Sequence, residues 1–292
     1  MFPDGPIPQQ LLALAAAATV FTVMFEIGLG VVLGQFHWIP GYPGALARAM
    51  FAVLIATPTL SLLVTELFDL PRAAQIGIVL MAISPGAPIA LRRSLGAGGD
   101  RSFVPALQIL IALVAVVSMP LSISALDVYF AGHASIGVAD VARQVFVAQL
   151  LPLGLGLATR NLLPRPGEWL QRKLAPLSTA MLILLVVLLL ADVWHVVVGS
   201  GLRVAAAIIV VTLLALAAGH AMGGAEPGTR TAVAICSAAR NPGLALLVAT
   251  FNDAPPAVVA TVLTYLIVSA LTDIAYVAWR RRASRHAVAS GV

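Results

Sequence analysis

The sequence predicts an all-α polytopic membrane protein of about nine transmembrane helices, arranged as an inverted-topology repeat in which two broken helices cross. Three observations carry this prediction. Of 292 residues, 60% are hydrophobic and only 10% charged, whereas a soluble domain needs roughly 25% charged residues to keep its surface wet. Apolar runs of about 20 residues, the length that crosses a hydrocarbon core as a helix, recur from end to end. Two of these runs are interrupted in the middle. Residues 73–95 contain Ser84-Pro85-Gly86-Ala87-Pro88, and residues 231–251 contain Ala239-Arg240-Asn241-Pro242-Gly243. Hydrocarbon cannot hydrogen-bond bare backbone, so a break at membrane depth survives only against protein or a water-filled cavity. One break in each half of a chain is the best sequence pointer to a transporter's binding site.

The elements follow in order. Residues 9–33 form the first span; residues 1–10 have no basic n-region, and the apolar run is too long for a signal h-region, so the span is expected to be retained. Spans 45–67, 103–126 and 138–160 carry Pro58, Pro120 and Pro152, which are expected to kink them. Spans 73–95 and 230–251 hold the breaks, and 176–198, 202–222 and 256–279 are uninterrupted. The run from Met181 to Leu190 is apolar at every position, which excludes the alternating pattern of a barrel strand. Short loops contain the expected breakers: Pro40-Gly41-Tyr42-Pro43, Gly96-Ala97-Gly98-Gly99, Pro164-Arg165-Pro166-Gly167, and 223–228. No linker separates a soluble domain, so residues 1–292 read as one transmembrane unit.

Basic residues set the orientation. One set of alternate loops holds Arg92, Arg93 and Arg101, then Arg160, Arg165, Arg172 and Lys173, then Arg230, then Arg280, Arg281, Arg282 and Arg285. The opposite set holds Arg72 and Arg203 with Asp127, Asp140, Asp192 and Asp253. The C-terminus is therefore expected in the cytoplasm and the N-terminus outside, with the chain in the cytoplasmic membrane. The broken spans are the third and the eighth, an odd separation that makes them antiparallel. This predicts two five-helix repeats, about 8–126 with its first helix missing and about 137–282. The same clustering of charge in loops accounts for a net charge of +5 without nucleic acid.

Asn241 precedes Pro242 and is expected to be the N-cap of an outgoing half-helix, with proline at the first helical position. Ser84-Pro85 is expected to repeat the pattern, with Gly86 allowing close backbone approach. Two half-helix N-termini meeting at mid-membrane would attract an anion. Arg240 is the most telling residue, because an arginine there costs at least about 3 kcal/mol unless it faces a cavity or a partner. It is read either as a fixed cation contacting substrate or backbone carbonyls, or as half of an ion pair with Glu26 or Asp273. Gln108 is a candidate lining residue. The expected substrate contacts are thus Arg240, Asn241, Pro242, Gly243, Ser84, Pro85, Gly86 and Gln108. Arg92 and Arg93 are read as topology anchors and Cys236, the single cysteine, as a packing residue. His37, His133, His195, His220 and His286 lack metal-ligand spacing, and no intramembrane hydrolase or prenyl-diphosphate motif is present. No metal, cofactor or enzymatic activity is expected.

These residues resemble the bile acid:sodium symporter family, within the larger group that contains arsenite exporters. Met24-Phe25-Glu26-Ile27-Gly28-Leu29 is similar to the family's Met-Phe-x-x-Gly-Leu segment, and Ser84-Pro85-Gly86 to its Cys-Pro-Gly-Gly crossover, closing at Gly99-Asp100. Residues 150–157, Leu-Leu-Pro-Leu-Gly-Leu-Gly-Leu, are similar to its sixth span, and Arg240-Asn241-Pro242-Gly243-Leu244-Ala245 to its Gln-Asn-Ser-Gly-Leu-Ala. The resemblance implies a ten-helix inverted repeat, here reduced to nine. It would be divided into a panel (about 9–33, 138–160 and 176–198) and a core (about 45–126 and 202–279), with substrate between them. It also implies sodium-coupled import of organic anions.

The family's sodium ligands, however, fall on unsuitable residues. Its Ser-Asn pair falls on Ala90 and Leu91, its glutamine five residues before a proline on Val53, its acidic residue on Cys236 and the next glutamine on Arg240. Its hydroxyl ligands in the following span fall on Gln108 and Ala112. Sodium coupling through these positions is not expected, and Arg240 is read as supplying the charge permanently. The expected function is secondary transport of a small organic anion by alternating access, with the lipid bilayer as the other partner and the coupling ion open. The alternatives are a sodium symporter with relocated ligands, a metalloid exporter, and a receptor or scaffold without transport.

Overall fold

A computed structural model describes residues 9–36, 43–129, 143–199 and 201–289. The predicted loop residues Pro40, Gly41 and Tyr42, with Asp4, His37, His133 and Asp140, lie outside the described residues, as do the side chains of Asp127, Asp192 and His286. Among the described residues every regular element is helical. They are α1 (Gln9–Leu29), α2 (Pro43–Leu67), α3 (Arg72–Ala82), α4 (Pro88–Gly96), α5 (Phe103–Tyr129), α6 (Arg143–Leu162), α7 (Pro164–Gly199), α8 (Gly201–Met222), α9 (Pro227–Ala238), α10 (Pro242–Phe251) and α11 (Pro256–Ala289).

Six stretches are long and apolar enough to cross a membrane: α2, α6, Pro164–Ala191 of α7, α8, α9 with α10, and Pro256–Arg285 of α11. A seventh is α5, bent by 51° between Phe103–Ala115 and Val117–Leu126. The bend falls where a carbonyl four residues back finds no N–H on Pro120. The apolar part of α1 and the first half of the 73–95 run are shorter. This is a polytopic helical membrane protein.

Pro58 and Pro152 do not simply kink their helices. Each follows a π-turn, Ala52–Ala56 in α2 and Phe146–Leu150 in α6, with one residue between turn and proline. A proline has no N–H to return to the preceding turn, and the wider turn absorbs the mismatch.

Helices α1, α6 and α7 pack on one another, while α8 packs on α2, α9 and α11, and α11 on α3. The α1–α6 contact is made by backbone. A Cβ added to Gly28 would lie 2.8 Å from the Leu157 nitrogen and closer still to the Leu153 carbonyl. One added to Gly156 would lie 2.9 Å from the Leu29 nitrogen and closer still to the Phe25 carbonyl. Two of the motifs that carry the family resemblance therefore touch at a single glycine–glycine crossing. Beyond it, the Asn161 side chain accepts from the Leu33 N–H at 3.0 Å and donates to the Val31 carbonyl at 3.3 Å, so the two helices end together.

The centre of the molecule is the interrupted pair α9–α10. All of its apolar window is buried, against 17% of that of α7. A segment with a broken backbone thus occupies the position best shielded from lipid, as the hydrogen-bonding argument requires.

Candidate functional site

The two breaks are real and they meet. Helix α9 ends at Ala238, and Ala239 and Asn241 are extended (φ −75°, ψ 116° and φ −88°, ψ 94°). Extended backbone is what the residue before a proline prefers. Pro242 then opens α10, with the Asn241 side chain at the N-cap accepting from the Leu244 N–H at 3.1 Å. The Asn241 N–H crosses to the other break and donates to the Ser84 carbonyl at 2.9 Å.

In the first break the expected geometry needs correction. Ser84 is not an N-cap: its hydroxyl turns back to the Leu80 carbonyl at 2.7 Å, finishing α3. The second half-helix begins three residues later, with Ala87 at the cap position and Pro88 in the first turn. Gly86 makes the intervening turn at φ +84°, a conformation that costs a side-chain-bearing residue steric energy. The proline at the helical start is thus Pro88, while Pro85 ends α3 by denying it another N–H.

Arg240 ties the crossing together. Its guanidinium donates from Nη1 to the carbonyls of Val53 (3.0 Å) and Ala82 (2.9 Å), and from Nη2 to that of Ser237. Each acceptor was released by a different helix interruption. In a regular helix Val53 would accept from Thr57, but the π-turn sends that N–H to Ala52, and Pro58 has none. Ala82 is the last residue of α3, and Ser237 sits in the last turn of α9. The cation therefore lies where two half-helices present their negative ends. It is 4% exposed, so water supplies no alternative.

Arg240 meets neither Glu26 nor Asp273. Those carboxylates pair with consecutive residues of α4: Arg92 reaches Glu26 on α1 at 3.6 Å, and Arg93 reaches Asp273 on α11. Arg92 and Arg93 are thus more than topology anchors. The ion-pair reading of Arg240 gives way to carbonyl binding because the crossing offers three carbonyl acceptors at its own depth, of which only that of Ser237 has another donor, the Thr57 hydroxyl at 3.4 Å.

The remaining expected residues gather around this point. Gln108 donates to the Ala87 carbonyl at 3.2 Å. A Cβ on Gly86 would lie 3.9 Å from the Gln108 amide nitrogen and 4.0 Å from that of Gln149, so this break faces α5 and α6. Gly243 faces α1 and α7, where a Cβ would lie 3.0 Å from Val20 and 4.0 Å from Leu182. Several buried polar atoms here have no partner among the described residues: Gln108 Oε1, Gln149 Oε1, Ser237 Oγ, Arg240 Nε and Asn241 Nδ2. Buried polar atoms are normally paired, so a cluster of exceptions marks capacity for a polar ligand.

Sequence reasoning missed Gln149, which donates to the Ala112 carbonyl at 3.2 Å from inside the second π-turn. It also missed Arg143, Gln144 and Asn252. These line a cavity of about 490 Å³ between α1, α6 and α10, with the Asn252 amide donating to Gln144 at 3.3 Å. Arg143 did leave a signal: it lies inside the predicted span 138–160. The crossing itself is closed, with Ser84, Arg240 and Asn241 all buried. No group of three or more His, Cys, Asp or Glu side chains able to hold a metal occurs among the described residues.

Curated relatives include the P3 proteins of Homo sapiens, Mus musculus and Bos taurus, each 24% identical over 185 residues. The match covers 62% of this chain but only 37–38% of theirs, so the chain spans less than two fifths of these relatives. A family model, the Sodium Bile acid symporter family, matches residues 17–200, from α1 through both π-turns and the first break to the end of α7. With that match covering well over half of the sequence, the chain belongs to the sodium bile acid symporter family.

Proposed function

We propose that this protein is a secondary transporter of a small organic anion, working by alternating access without sodium at the usual family positions. The observation that carries this reading is the Arg240 guanidinium held by three carbonyls at the crossing. Nine spans in an inverted repeat, with the N-terminus outside and the C-terminus in the cytoplasm, accommodate the two antiparallel breaks. Helices α1, α6 and α7 form the panel, and the rest form the core that moves against it.

The electrostatics of the crossing divide cleanly on this reading. The C-terminal ends of α3 and α9 are neutralised by Arg240. The N-terminal ends of α4 and α10 carry the opposite partial charge and are left for an anion, although at α10 the Leu244 N–H is already taken by the Asn241 side chain. Gly243 sets the end of α10 close to panel helices, which puts the substrate between the two groups. Sodium requires several oxygen ligands; Val53, Ala90, Leu91 and Cys236 offer no side-chain oxygen, and a fixed cation already binds the Val53 carbonyl.

Uptake of radiolabelled taurocholate and of small monocarboxylates into proteoliposomes tests this reading. Substrate-dependent, saturable uptake that changes less than about twofold when an imposed sodium gradient is replaced by potassium is the expected result. Uptake rising steeply with sodium would sink it and favour relocated ligands.

The Arg92–Glu26 pair joins α4 of the core to α1 of the panel, so it must part whenever the two groups separate. Glu26→Gln and Arg92→Gln should each change the uptake rate about two- to fivefold in the same direction, the scale of a partly exposed ion pair. The double variant should go no further, because the partners act as one unit. Additive effects would show that the pair does not couple the two groups.

A further inference from the structure

We propose that the cavity beside the C-terminal end of α11 is a binding site for one anionic phospholipid. The proposal is independent of the transport reading. The cavity, of about 440 Å³, is walled by Arg93, Ile274, Val277, Ala278, Arg281, Arg282 and Arg285, together with Asp273.

Its two halves differ in chemistry. Ile274, Val277 and Ala278 are spaced three and one apart, on one face of α11, and give an apolar wall. Arg281, Arg282 and Arg285 follow within the next two turns. At the same level of α11, but lining a different cavity with His220 and Tyr276, stands Trp279, 52% exposed. Exposed tryptophans at the ends of membrane helices sit at headgroup level. The cavity thus straddles the boundary between hydrocarbon and headgroups, with its apolar wall on one side and its guanidinium groups on the other. A phospholipid has that same division: acyl chain against 274–278, phosphate against 281–285. A soluble anion would use only the second half.

The charge balance favours an anion. Arg93 is taken by Asp273, and Arg280 turns inward to Thr231 Oγ1 at 2.7 Å and the Pro227 carbonyl at 2.9 Å. Arg281 keeps one bond, to the Gly96 carbonyl at 3.0 Å, which fixes it beside α4. Arg282 and Arg285 have no acceptor among the described residues and remain available to phosphate oxygens. Arginines that serve only to orient a helix need no cavity. These line one, and basic pockets between helices at a membrane surface hold lipid headgroups.

The full chain, purified in dodecyl maltoside, should be titrated with phosphatidylglycerol, with phosphatidylcholine of the same acyl chains, and with inorganic phosphate. Bound lipid is counted by native mass spectrometry. Phosphatidylglycerol should bind at least tenfold more tightly than phosphatidylcholine. The exposed-site variant R282Q/R285Q should lose about twenty-five-fold of that affinity, about fivefold per guanidinium. Its melting temperature without lipid should not change, which separates lost binding from lost folding. Ala278→Asp, placing a carboxylate in the apolar wall, should weaken phosphatidylglycerol as well. Equal binding of the two lipids, or full binding by R282Q/R285Q, would overturn the proposal. Displacement of phosphatidylglycerol by millimolar inorganic phosphate would also overturn it, assigning the arginines to a soluble anion.

Discussion

Replacing Arg240 by alanine should destabilise the protein by roughly 3–6 kcal/mol, more than any other single truncation in the centre of the fold. The figure comes from the Val53 and Ala82 carbonyls left unpaired in a place that water does not reach, at about 1–3 kcal/mol each with partial relaxation, while the Ser237 carbonyl keeps only the Thr57 hydroxyl at 3.4 Å. The carbonyls belong to α2, α3 and α9, so the loss loosens three helices at once. Arg240→Lys should fall between wild type and alanine: it keeps the charge but replaces a planar fork of donors with one compact ammonium. Thermal unfolding in detergent, with yield of monodisperse protein as a second readout, measures the order. An alanine variant that melts with wild type would mean that the crossing is held by packing alone. Sodium up to molar concentration should not rescue the alanine variant, since a monatomic cation supplies charge without the fork that spans the three acceptors.

Gly28→Ala should have the second largest effect. The added methyl would lie within 2.8 Å of the Leu157 nitrogen and closer to the Leu153 carbonyl, where ordinary carbon–oxygen contacts are about 3.3–3.6 Å. Both sides of the contact are backbone, so no rotamer change can absorb it. The helices must separate by on the order of 1 Å, at a cost of about 2–4 kcal/mol in lost close packing. Gly156→Ala should do the same from the other side. The double variant should cost less than the sum, because one separation serves both. The control lies two residues away. Gly154 has nothing within 4 Å of its virtual Cβ, and Gly154→Ala should be neutral. If Gly154→Ala proves as harmful as Gly28→Ala, the glycine–glycine crossing is not the cause, since helix propensity alone favours alanine over glycine.

The parts of this molecule that were legible in its sequence are those fixed by local chemistry. Apolar runs gave the helices, and Asn241-Pro242 gave both the break and its cap, because pre-proline backbone and an N-cap side chain act within four residues. Even here a local rule misled at Ser84, since three candidate turn residues followed it and only the three-dimensional path selects Ala87-Pro88. The partners of Arg240 were not legible. Its acceptor on α2 is 187 residues away and is a backbone carbonyl, which carries no residue signature. That carbonyl is open only because Pro58 and the π-turn before it act together. The partners of Glu26 and Asp273 were hidden for a similar reason. Any cation at the right depth would serve, and two adjacent arginines on α4 lie nearer than Arg240.

A counter-charge that is part of the polypeptide has a bioenergetic consequence. A symported sodium ion enters on one side, leaves on the other and brings its gradient's free energy with it; a guanidinium completes every cycle where it began and contributes no electrochemical work. On the proposed reading, and with no other ion coupled, each turnover carries the anion's own charge, uncompensated, across the bilayer. An interior-negative voltage then favours efflux of a monovalent anion by about 2.3 kcal/mol per 100 mV. A tethered cation without any other coupled ion would therefore make the crossing a voltage-driven exit valve rather than a concentrating pump.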